Sequence, residues 1–465
     1  MDPDSDNRAT TPKADHLCVL VHGLWGNPSH MGSIASALRK RYDEKLLHIL
    51  VAECNTGNLT YDGIEVCGER LAHEIETTLG KLEADGHSVR KLSVVGYSLG
   101  GLISRYAIGL LYARGWFEDD KLEPVNFTTF ASPHLGARAP VRGVQNLLFN
   151  GLGSRTISTS GKQMFLADTF QDTGKPLLSA LADPNSIFIE GLKKFKNRCV
   201  YGNVVNDHTT AFYTTIFASE DHFRDLENAT INYVKGYEPV VIDPDVYTLP
   251  ASEKKKRPPF PLRVWQNIRK FFSKLPFWAF FCFILLIAIP VFLVYSVRET
   301  FRSRERIREH EEGTGKSFRS YRMPLGLRRI QTAMDEVFEN AAARQDPDYI
   351  SPNVPNTDLE SQTASRNGKT DAAEDSPAAA SSENSTDNAN KVKKIRCGEK
   401  RPTLALTPDQ FSMIKSLNAV GFRKFPVYIH NNKHTHAAIV VRIDDPGYAE
   451  GHIVIKHWLD REFQL

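Results

Sequence analysis

The sequence predicts an α/β fold, in which a mostly parallel sheet is flanked by helices and interrupted by a membrane-embedded hydrophobic segment and a disordered linker. Short apolar runs at residues 17–21 and 92–95 are typical of strands buried on both faces of a parallel sheet. The second run passes through a glycine-rich turn into the helical pattern of residues 101–108. A strand that leads directly into a helix is the repeating unit of a parallel sheet.

Length and composition limit the possible classes of protein. The chain has 465 residues, which is enough for a full hydrophobic core with appended segments. Its six cysteines form no C-x-x-C pair and no dense framework, and its first residues are acidic and polar. We therefore expect reduced thiols and no secretory signal. We expect no metal and no cofactor, because no cluster of ligating residues is evident.

The turn after the second apolar run has the sequence Gly96-Tyr97-Ser98-Leu99-Gly100. Its glycines allow the sharp turn that presents a serine hydroxyl above the sheet, as in the nucleophile elbow of α/β-hydrolases. The following helix directs its N-terminal amides toward the position where an oxyanion would form. This context predicts that Ser98 is the nucleophile of a serine hydrolase.

A second loop follows the first apolar run and has the sequence His22-Gly23-Leu24-Trp25-Gly26-Asn27. In α/β-hydrolases the loop at this position donates one backbone N–H to the oxyanion, and the residue after the nucleophile donates the other. The expected donors are therefore the amides of Leu24 and Leu99. His22 precedes the serine in a strand-end loop, so we expect it to hold this loop in place with Gly23 rather than to act as the base.

The acid of a catalytic triad is expected after Ser98, because the order in this architecture is Ser, then Asp or Glu, then His. The apolar strand at residues 199–205 leads into Asp207, at the end of a late strand where the acid belongs. The alternative for Asp207 is a turn aspartate that accepts hydrogen bonds from local amides. His134, which follows the strand at residues 126–130, is interpreted as a loop-shaping residue.

The base is expected in a loop past the last strand and before the final helix. Residues 425–429 are the predicted last strand, and His436 fits the loop position best. His434 and His457 remain alternatives. Residues 453–463 are interpreted as a short terminal helix or a pair of strands.

An apolar segment at about residues 276–297 contains no charged residue and is long enough to cross a hydrocarbon layer of about 30 Å. Basic residues lie on both sides of it, at residues 254–274 and 298–308, and aromatic residues are interleaved in the first group. This combination predicts a membrane surface rather than a nucleic acid as the partner. The basic flanks favour the cytosolic side for both ends of the segment.

The order of the triad bears on how this segment enters a membrane. Ser98 and Asp207 precede it and His436 follows it, so both flanks must lie on one side if the three residues share a site. Pro290 interrupts the apolar run and marks the expected bend of a re-entrant hairpin. The alternative is a single span with a misassigned histidine.

The long stretch of sequence between Asp207 and His436 is therefore interpreted as an insertion into one domain. Residues 345–394 contain few large apolar side chains and are expected to be disordered. The predicted organisation is a disordered N-terminus (1–14), a hydrolase core with nucleophile and acid (15–250), a basic and aromatic flank with the membrane segment (251–315), a helical connector (316–344), a disordered linker (345–399) and the C-terminal part of the core with the catalytic histidine (400–465).

Four stretches together resemble the fungal branch of the lipase-like serine esterase family and are similar to lipid-droplet phospholipases of yeasts. They are residues 21–27, residues 60–64 with 68–71, the elbow at Ser98, and residues 436–442. The resemblance implies an α/β-hydrolase fold and hydrolysis of glycerophospholipid esters. Tyr97 departs from the pattern, because lipases of this kind often carry His there, but this position has no expected role in proton transfer.

The expected protein is thus a membrane-associated serine hydrolase of the phospholipase or lysophospholipase type. Its expected partners are a phospholipid monolayer or bilayer surface and a lipid ester, with no nucleic acid; the sequence specifies no protein partner. The expected location is the cytosolic face of a membrane, on a lipid droplet or the endoplasmic reticulum, with monotopic attachment. The alternatives are a neutral glyceride lipase, a protein deacylase, or a non-catalytic membrane tether built on a hydrolase scaffold.

Overall fold

The computed structural model describes residues 14–118, 121–138, 158–207, 209–220, 223, 226, 229–245, 248–250, 294–312 and 403–465. A six-stranded sheet forms the centre of this part of the chain. Its strands are β1 (His16–Val21), β2 (Leu47–Val51), β3 (Lys91–Tyr97), β4 (Glu123–Phe130), β5 (Asn197–Asn203) and β8 (Arg423–Val427). A separate antiparallel pair consists of β6 (Ala229–Ile231) and β7 (Thr248–Pro250).

The strands of the large sheet follow the order β2-β1-β3-β4-β5-β8, and every neighbouring pair is parallel. The prediction of a mostly parallel sheet with flanking helices is therefore confirmed. Because all six strands point the same way, the loops after β1, β3, β5 and β8 meet at one edge of the sheet. These are the loops that carry the residues singled out in the sequence.

Helices cover both faces of the sheet. They are α1 (Gly32–Arg41), α2 (Ile64–Ala84), α3 (Leu99–Ala113), α4 (Ser158–Met164), α5 (Leu177–Leu181), α6 (Ile187–Lys194), α7 (Phe212–Thr215), α8 (Pro408–Ala419), α9 (Thr435–Ala438) and α10 (Ala449–His457). Residues 294–311 are also helical and are called helix 294–311 below. A 3-10 helix at Gly57–Tyr61 precedes α2, and a π-helical turn at Trp458–Glu462 follows α10.

Strand β1 shows why the sheet is covered on both faces. All six of its residues are buried, and alternate side chains enter different cores, because successive residues of a strand point to opposite faces. Leu17 and Val19 pack with residues of α2 and α3, whereas Cys18 and Leu20 pack with residues of α1 and α10. This double burial accounts for the continuous apolar run in the sequence.

The C-terminal residues complete the sheet begun by the N-terminal half. Strand β8 pairs with β5 along its whole length, from Cys199 opposite Arg423 to Asn203 opposite Val427. Helix α8 begins at a capping box in which Thr407 and Gln410 exchange hydrogen bonds. The terminal segment is helical from residue 453 to residue 462, and the alternative of a strand pair was wrong.

Several predicted segments lie outside the described residues. These are most of the apolar segment at 276–297, the connector at 316–344, the linker at 345–399 and the N-terminal residues 1–13. Residues 294–297, at the end of the apolar segment, are described and belong to helix 294–311. No helix within the described ranges has the length and apolar character needed to cross a membrane.

Candidate active site

The turn between β3 and α3 holds Ser98 in a backbone conformation that is rare outside glycine, with φ +54° and ψ −129°. Two glycines make the close approach around it possible. A Cβ added to Gly23 would lie 2.6 Å from the Cβ of Ser98, and one added to Gly100 would lie 2.5 Å from the carbonyl oxygen of His22. The loop after β1 therefore lies directly against the elbow only because both positions lack a side chain.

Three residues from distant parts of the sequence form one hydrogen-bonded array at this edge of the sheet. Nε2 of His436 lies 3.0 Å from Oγ of Ser98, and Nδ1 of His436 lies 3.0 Å from Oδ2 of Asp207. Each of the three is less than 8 % exposed. This is the relative arrangement of nucleophile, base and acid in a serine hydrolase triad.

The local turn around Asp207 determines how its carboxylate is oriented. The amide of Thr210 donates to Oδ1 (2.8 Å), while the Thr210 hydroxyl (3.0 Å) and the side-chain amide of Asn203 (2.9 Å) donate to Oδ2. Burial alone would raise the pKa of Asp207, but the attraction of His436 and these hydrogen bonds outweigh it and lower the pKa below its usual value. Asp207 therefore accepts a hydrogen bond from an amide of its own turn, as the alternative interpretation expects, and is also the partner of His436.

Sequence reasoning did not identify the residues that support the array. The hydroxyl of Thr210 lies 3.1 Å from Nδ1 of His436 as well as contacting Asp207. The hydroxyl of Tyr97 donates to the carbonyl oxygen of His436 (3.1 Å), and the two rings lie 5.2 Å apart. The spacing of Thr210, three residues after Asp207, was a detectable turn signal, whereas the Tyr97 contact joins residues 339 positions apart and had no local signal.

The backbone amides next to the two expected oxyanion donors form hydrogen bonds within the protein. The amide of Trp25 donates to Oγ1 of Thr60 (3.1 Å), and the amide of Ser98 donates to the carbonyl oxygen of Phe130 (2.9 Å). The amides of Leu24 and Leu99 donate no hydrogen bond to any of the described residues. Both amides therefore remain available to an oxygen atom of a bound substrate.

The other histidines considered from the sequence lie in different surroundings. Nδ1 of His22 lies 3.1 Å from the carbonyl oxygen of Gly23, and burial lowers the pKa of His22 to about 4, so the ring is neutral and braces the loop. His134 is fully buried and contacts Oγ1 of Thr129 at 2.9 Å.

Neither of the two alternative bases is hydrogen-bonded to Ser98. His457 is buried and its Nδ1 lies 2.8 Å from the hydroxyl of Tyr201. The backbone amide of His434 donates to Oδ1 of Asn432 (2.8 Å), and His434 caps the short helix that carries His436. In the described part of the chain, no group of three or more His, Cys, Asp or Glu side chains is arranged to hold a metal ion.

Residues 11–221 match the family described as "Putative serine esterase (DUF676)". The match covers 211 of the 465 residues of the chain, so the similarity is to this segment. The matched residues include Ser98 and Asp207, whereas His436 lies outside them.

The chain also has relatives among fungal proteins. "Putative lipase ROG1" of Saccharomyces cerevisiae is 36% identical over 223 residues, which cover 47% of this chain and 31% of that protein. "Putative lipase YDL109C" of the same yeast is 32% identical over 218 residues, and "Putative lipase C4A8.10" of Schizosaccharomyces pombe is 29% identical over 213 residues. The match spans 32% and 26% of those two proteins, so the shared region is about a third or less of each relative.

Solved structures show only weak overall similarity. Phospholipase PlaB from Legionella pneumophila is 13% identical with a TM-score of 0.25, over 44% of this chain and 42% of that one. A lipase-esterase related protein from Clostridium acetobutylicum is 14% identical with a TM-score of 0.22, over 44% of this chain and 80% of that one.

Proposed function

We propose that this protein is a serine hydrolase of the α/β-hydrolase type that cleaves fatty acyl esters of glycerophospholipids through an acyl-enzyme. The observation that carries the proposal is the array in which His436 lies 3.0 Å from both Ser98 and Asp207. The similarity of residues 11–221 to the serine esterase family supports an ester as the substrate class.

The reaction follows from the positions of the atoms. Oγ of Ser98 attacks the ester carbonyl carbon as Nε2 of His436 accepts the hydroxyl proton, and the same proton then passes to the leaving alcohol. Asp207 keeps the Nδ1 proton of His436 in place and stabilises the imidazolium while it is charged. Water then attacks the acyl-enzyme with His436 again as base, which releases the fatty acid and regenerates Ser98.

The oxyanion of each tetrahedral intermediate is assigned to the amides of Leu24 and Leu99. A donor of this kind contributes about 3 kcal/mol to transition-state stabilisation in comparable sites. Ser98 is the N-cap residue of helix α3 and Leu99 is its first residue, so the helix dipole also favours negative charge next to the Leu99 amide.

We place the reaction at the cytosolic surface of a lipid droplet or the endoplasmic reticulum, where the protein is attached from one side. Helix 294–311 supports a lipid surface as partner, because Val294, Val297 and Phe301 are 70, 56 and 64 % exposed. Arg298 and Arg302 lie beside them, which favours anionic head groups.

Contacts on both sides of the apolar segment at 276–297 support a hairpin rather than a single span. Before the segment, the amide of Ile242 donates to the carbonyl oxygen of Pro426 in β8 (2.9 Å). After it, the guanidinium of Arg306 donates to the carboxylate of Asp62 (2.7 Å). Residues before and after the segment thus contact the same domain, and a single crossing of a membrane would separate them.

The direct test is the release of fatty acid by the purified full-length protein. Phospholipid vesicles and triacylglycerol emulsions coated with the same phospholipid are compared, and Ser98→Ala is the inactive control. We expect Ser98-dependent fatty acid release from the phospholipid. Equal turnover of triacylglycerol and phospholipid on the same particles would contradict the preference for phospholipid.

Two further outcomes identify the alternatives. Ser98-dependent hydrolysis of a soluble ester with no release from either lipid would indicate another acyl substrate, such as an acylated protein. No Ser98-dependent hydrolysis of any ester would indicate a membrane tether on a hydrolase scaffold.

A further inference from the structure

A buried cluster of four charges joins helix 294–311 to the domain that carries Ser98. The guanidinium of Arg306 donates to both carboxylate oxygens of Asp62, at 2.7 and 3.0 Å, and to Oε1 of Glu299 at 2.9 Å. Arg70 of α2 donates to the same Asp62 carboxylate at 2.9 Å. The Asp62 side chain has no exposed surface, so its negative charge is compensated entirely by protein groups.

Further contacts attach the same helix to one short stretch of the domain. The side-chain amide of Asn58 donates to the Tyr295 hydroxyl (2.7 Å), and Arg306 donates to the Asn58 carbonyl oxygen (3.3 Å). His310 lies 2.6 Å from the carboxylate of Glu69. The residues of the domain that form these contacts with helix 294–311 therefore all lie between residues 58 and 69. This stretch overlaps residues 60–64 and 68–71, which carry part of the family resemblance and contribute no residue to the triad.

The first part of this stretch lies against the predicted oxyanion loop. Oγ1 of Thr60 accepts a hydrogen bond from the Trp25 amide (3.1 Å) and donates to the Gly57 carbonyl (2.6 Å). The Gly57 amide donates to the carbonyl oxygen of Gly26 (2.8 Å). Trp25 has φ +52°, a conformation that a residue with a side chain adopts only when its surroundings hold it. The position of the Leu24 amide thus depends on the residues from Gly57 to Asp62.

Loss of Arg306 would disturb that support. Oδ1 of Asp62 and the Asn58 carbonyl would lose a charged donor, and a buried carboxylate oxygen without a partner is strongly unfavourable. Arg70 contacts only Oδ2 and cannot replace the bidentate contact. The segment would shift to bring Asp62 to water, and the loop that hydrogen-bonds to Thr60 would shift with it.

We propose that Arg306 is a positioning residue. Its contact with Asp62 holds residues 57–62 in place. Through Thr60, this segment positions the loop whose Leu24 amide binds the oxyanion. The inference rests on the proposed serine hydrolase function. It assigns helix 294–311 a second role: the chain that emerges from the apolar segment sets the geometry of the reaction site. A protein whose helix 294–311 is displaced would retain its triad but lose one oxyanion donor.

The test uses the full-length protein in detergent micelles and compares Arg306→Ala with Arg308→Ala. Arg308 is a suitable control because its side chain is 68% exposed and forms an ion pair with Glu312 of the same helix. We expect Arg306→Ala to react with a fluorophosphonate about tenfold or more slowly than wild type, because a displaced donor weakens catalysis. We also expect about tenfold faster amide hydrogen exchange at residues 24–27, and values within twofold of wild type for Arg308→Ala.

A further variant separates positioning from general stability. Arg306→Lys keeps the charge but not the bidentate contact, so we expect intermediate exchange at residues 24–27 and intermediate labelling. The proposal is overturned if Arg306→Ala and Arg308→Ala have the same labelling rate and the same exchange. It is also overturned if Arg306→Ala unfolds while Arg306→Lys matches wild type in both measurements. If wild type is not labelled at all, the hydrolase function fails, and the exchange measurement then decides the role of Arg306 alone.

Discussion

Nδ1 of His436 lies 3.0 Å from Oδ2 of Asp207, although the two residues are 229 positions apart in the sequence. The contact requires that β8 pairs with β5, because these neighbouring strands carry the two loops to the same edge of the sheet. Asp207 is also held by Asn203 and Thr210, so its orientation does not depend on His436 alone. The short distance between His436 and Asp207 therefore depends on the arrangement of the strands in the sheet.

The first prediction concerns the acid. Replacing Asp207 with Asn removes the negative charge that stabilises the imidazolium and can stabilise the wrong tautomer of His436. We expect kcat for a short-chain p-nitrophenyl ester to fall by about 10³- to 10⁴-fold, as for the equivalent change in other triads. Asp409→Asn, at an exposed position in the first turn of α8, is the matched control and should retain wild-type kcat. A fall of less than tenfold in Asp207→Asn would exclude Asp207 as the acid.

The second prediction concerns Tyr97. Its hydroxyl donates to the His436 carbonyl, and the loss of one such hydrogen bond corresponds to about 1 kcal/mol. Tyr97→Phe should therefore lower kcat about threefold to tenfold without abolishing activity. Tyr201→Phe removes a buried hydroxyl that contacts His457 instead, and we expect little effect on kcat when both variants are measured below their unfolding temperatures. Equal kcat values for the two variants would show that the Tyr97 hydroxyl does not position His436.

The third prediction concerns the contact between the loop after β1 and the elbow. A Cβ at Gly23 would lie 2.6 Å from Cβ and 3.1 Å from Oγ of Ser98, so Gly23→Ala forces the two segments apart. We expect activity to fall by 100-fold or more, because misplacement of reacting groups by about 1 Å has effects of this size. Gly32→Ala is the control, since an added Cβ there has nothing within 4 Å and the position begins a helix. An active Gly23→Ala protein would contradict the described loop position.

The fourth prediction concerns stability and pH. Burial lowers the pKa of His16, His22 and His457 to about 4, whereas the unfolded chain titrates them near 6.5. Between these values the unfolded chain binds protons that the folded chain does not. The free energy of unfolding therefore falls as pH falls from 6.5 toward 4, and the full contribution is present above pH 6.5. For His457 alone the expected loss between pH 7 and pH 5 is about 2 kcal/mol.

Two variants on the same helix test this through urea unfolding at pH 7 and pH 5. His457→Gln removes a buried histidine of α10, so the difference in unfolding free energy between the two pH values should shrink. His452→Gln removes an exposed histidine of α10 and should leave that difference unchanged. The same pH dependence in both variants would show that burial of His457 does not oppose its protonation.

Local patterns in the sequence predicted the parts of the site that depend on neighbouring residues. The apolar run of β3, the glycines of the elbow and the start of α3 are contiguous, so Ser98 was recognisable without any tertiary information. Asp207 and His436 were reached through the order of residues in the fold. His434 and His457 stayed open because a loop histidine has no local signal that identifies its partner.

The remaining features depend on contacts across the fold. Tyr97 with His436 and Asp62 with Arg306 are pairs separated by 339 and 244 positions, and neither pair follows from periodicity or spacing. The terminal segment was ambiguous between helix and strand because short apolar runs fit both patterns. Packing of α10 on the face of the sheet opposite to α2 and α3 resolves it in favour of a helix.

The most direct test of the central claim is labelling of the detergent-solubilised protein with a fluorescent fluorophosphonate, which reacts with an activated serine. Wild type, Ser98→Ala and His436→Ala are compared at matched concentration and folding. We expect strong labelling of wild type, none of Ser98→Ala and at least 100-fold slower labelling of His436→Ala. Labelling that survives in Ser98→Ala, or is unchanged in His436→Ala, would contradict the central claim.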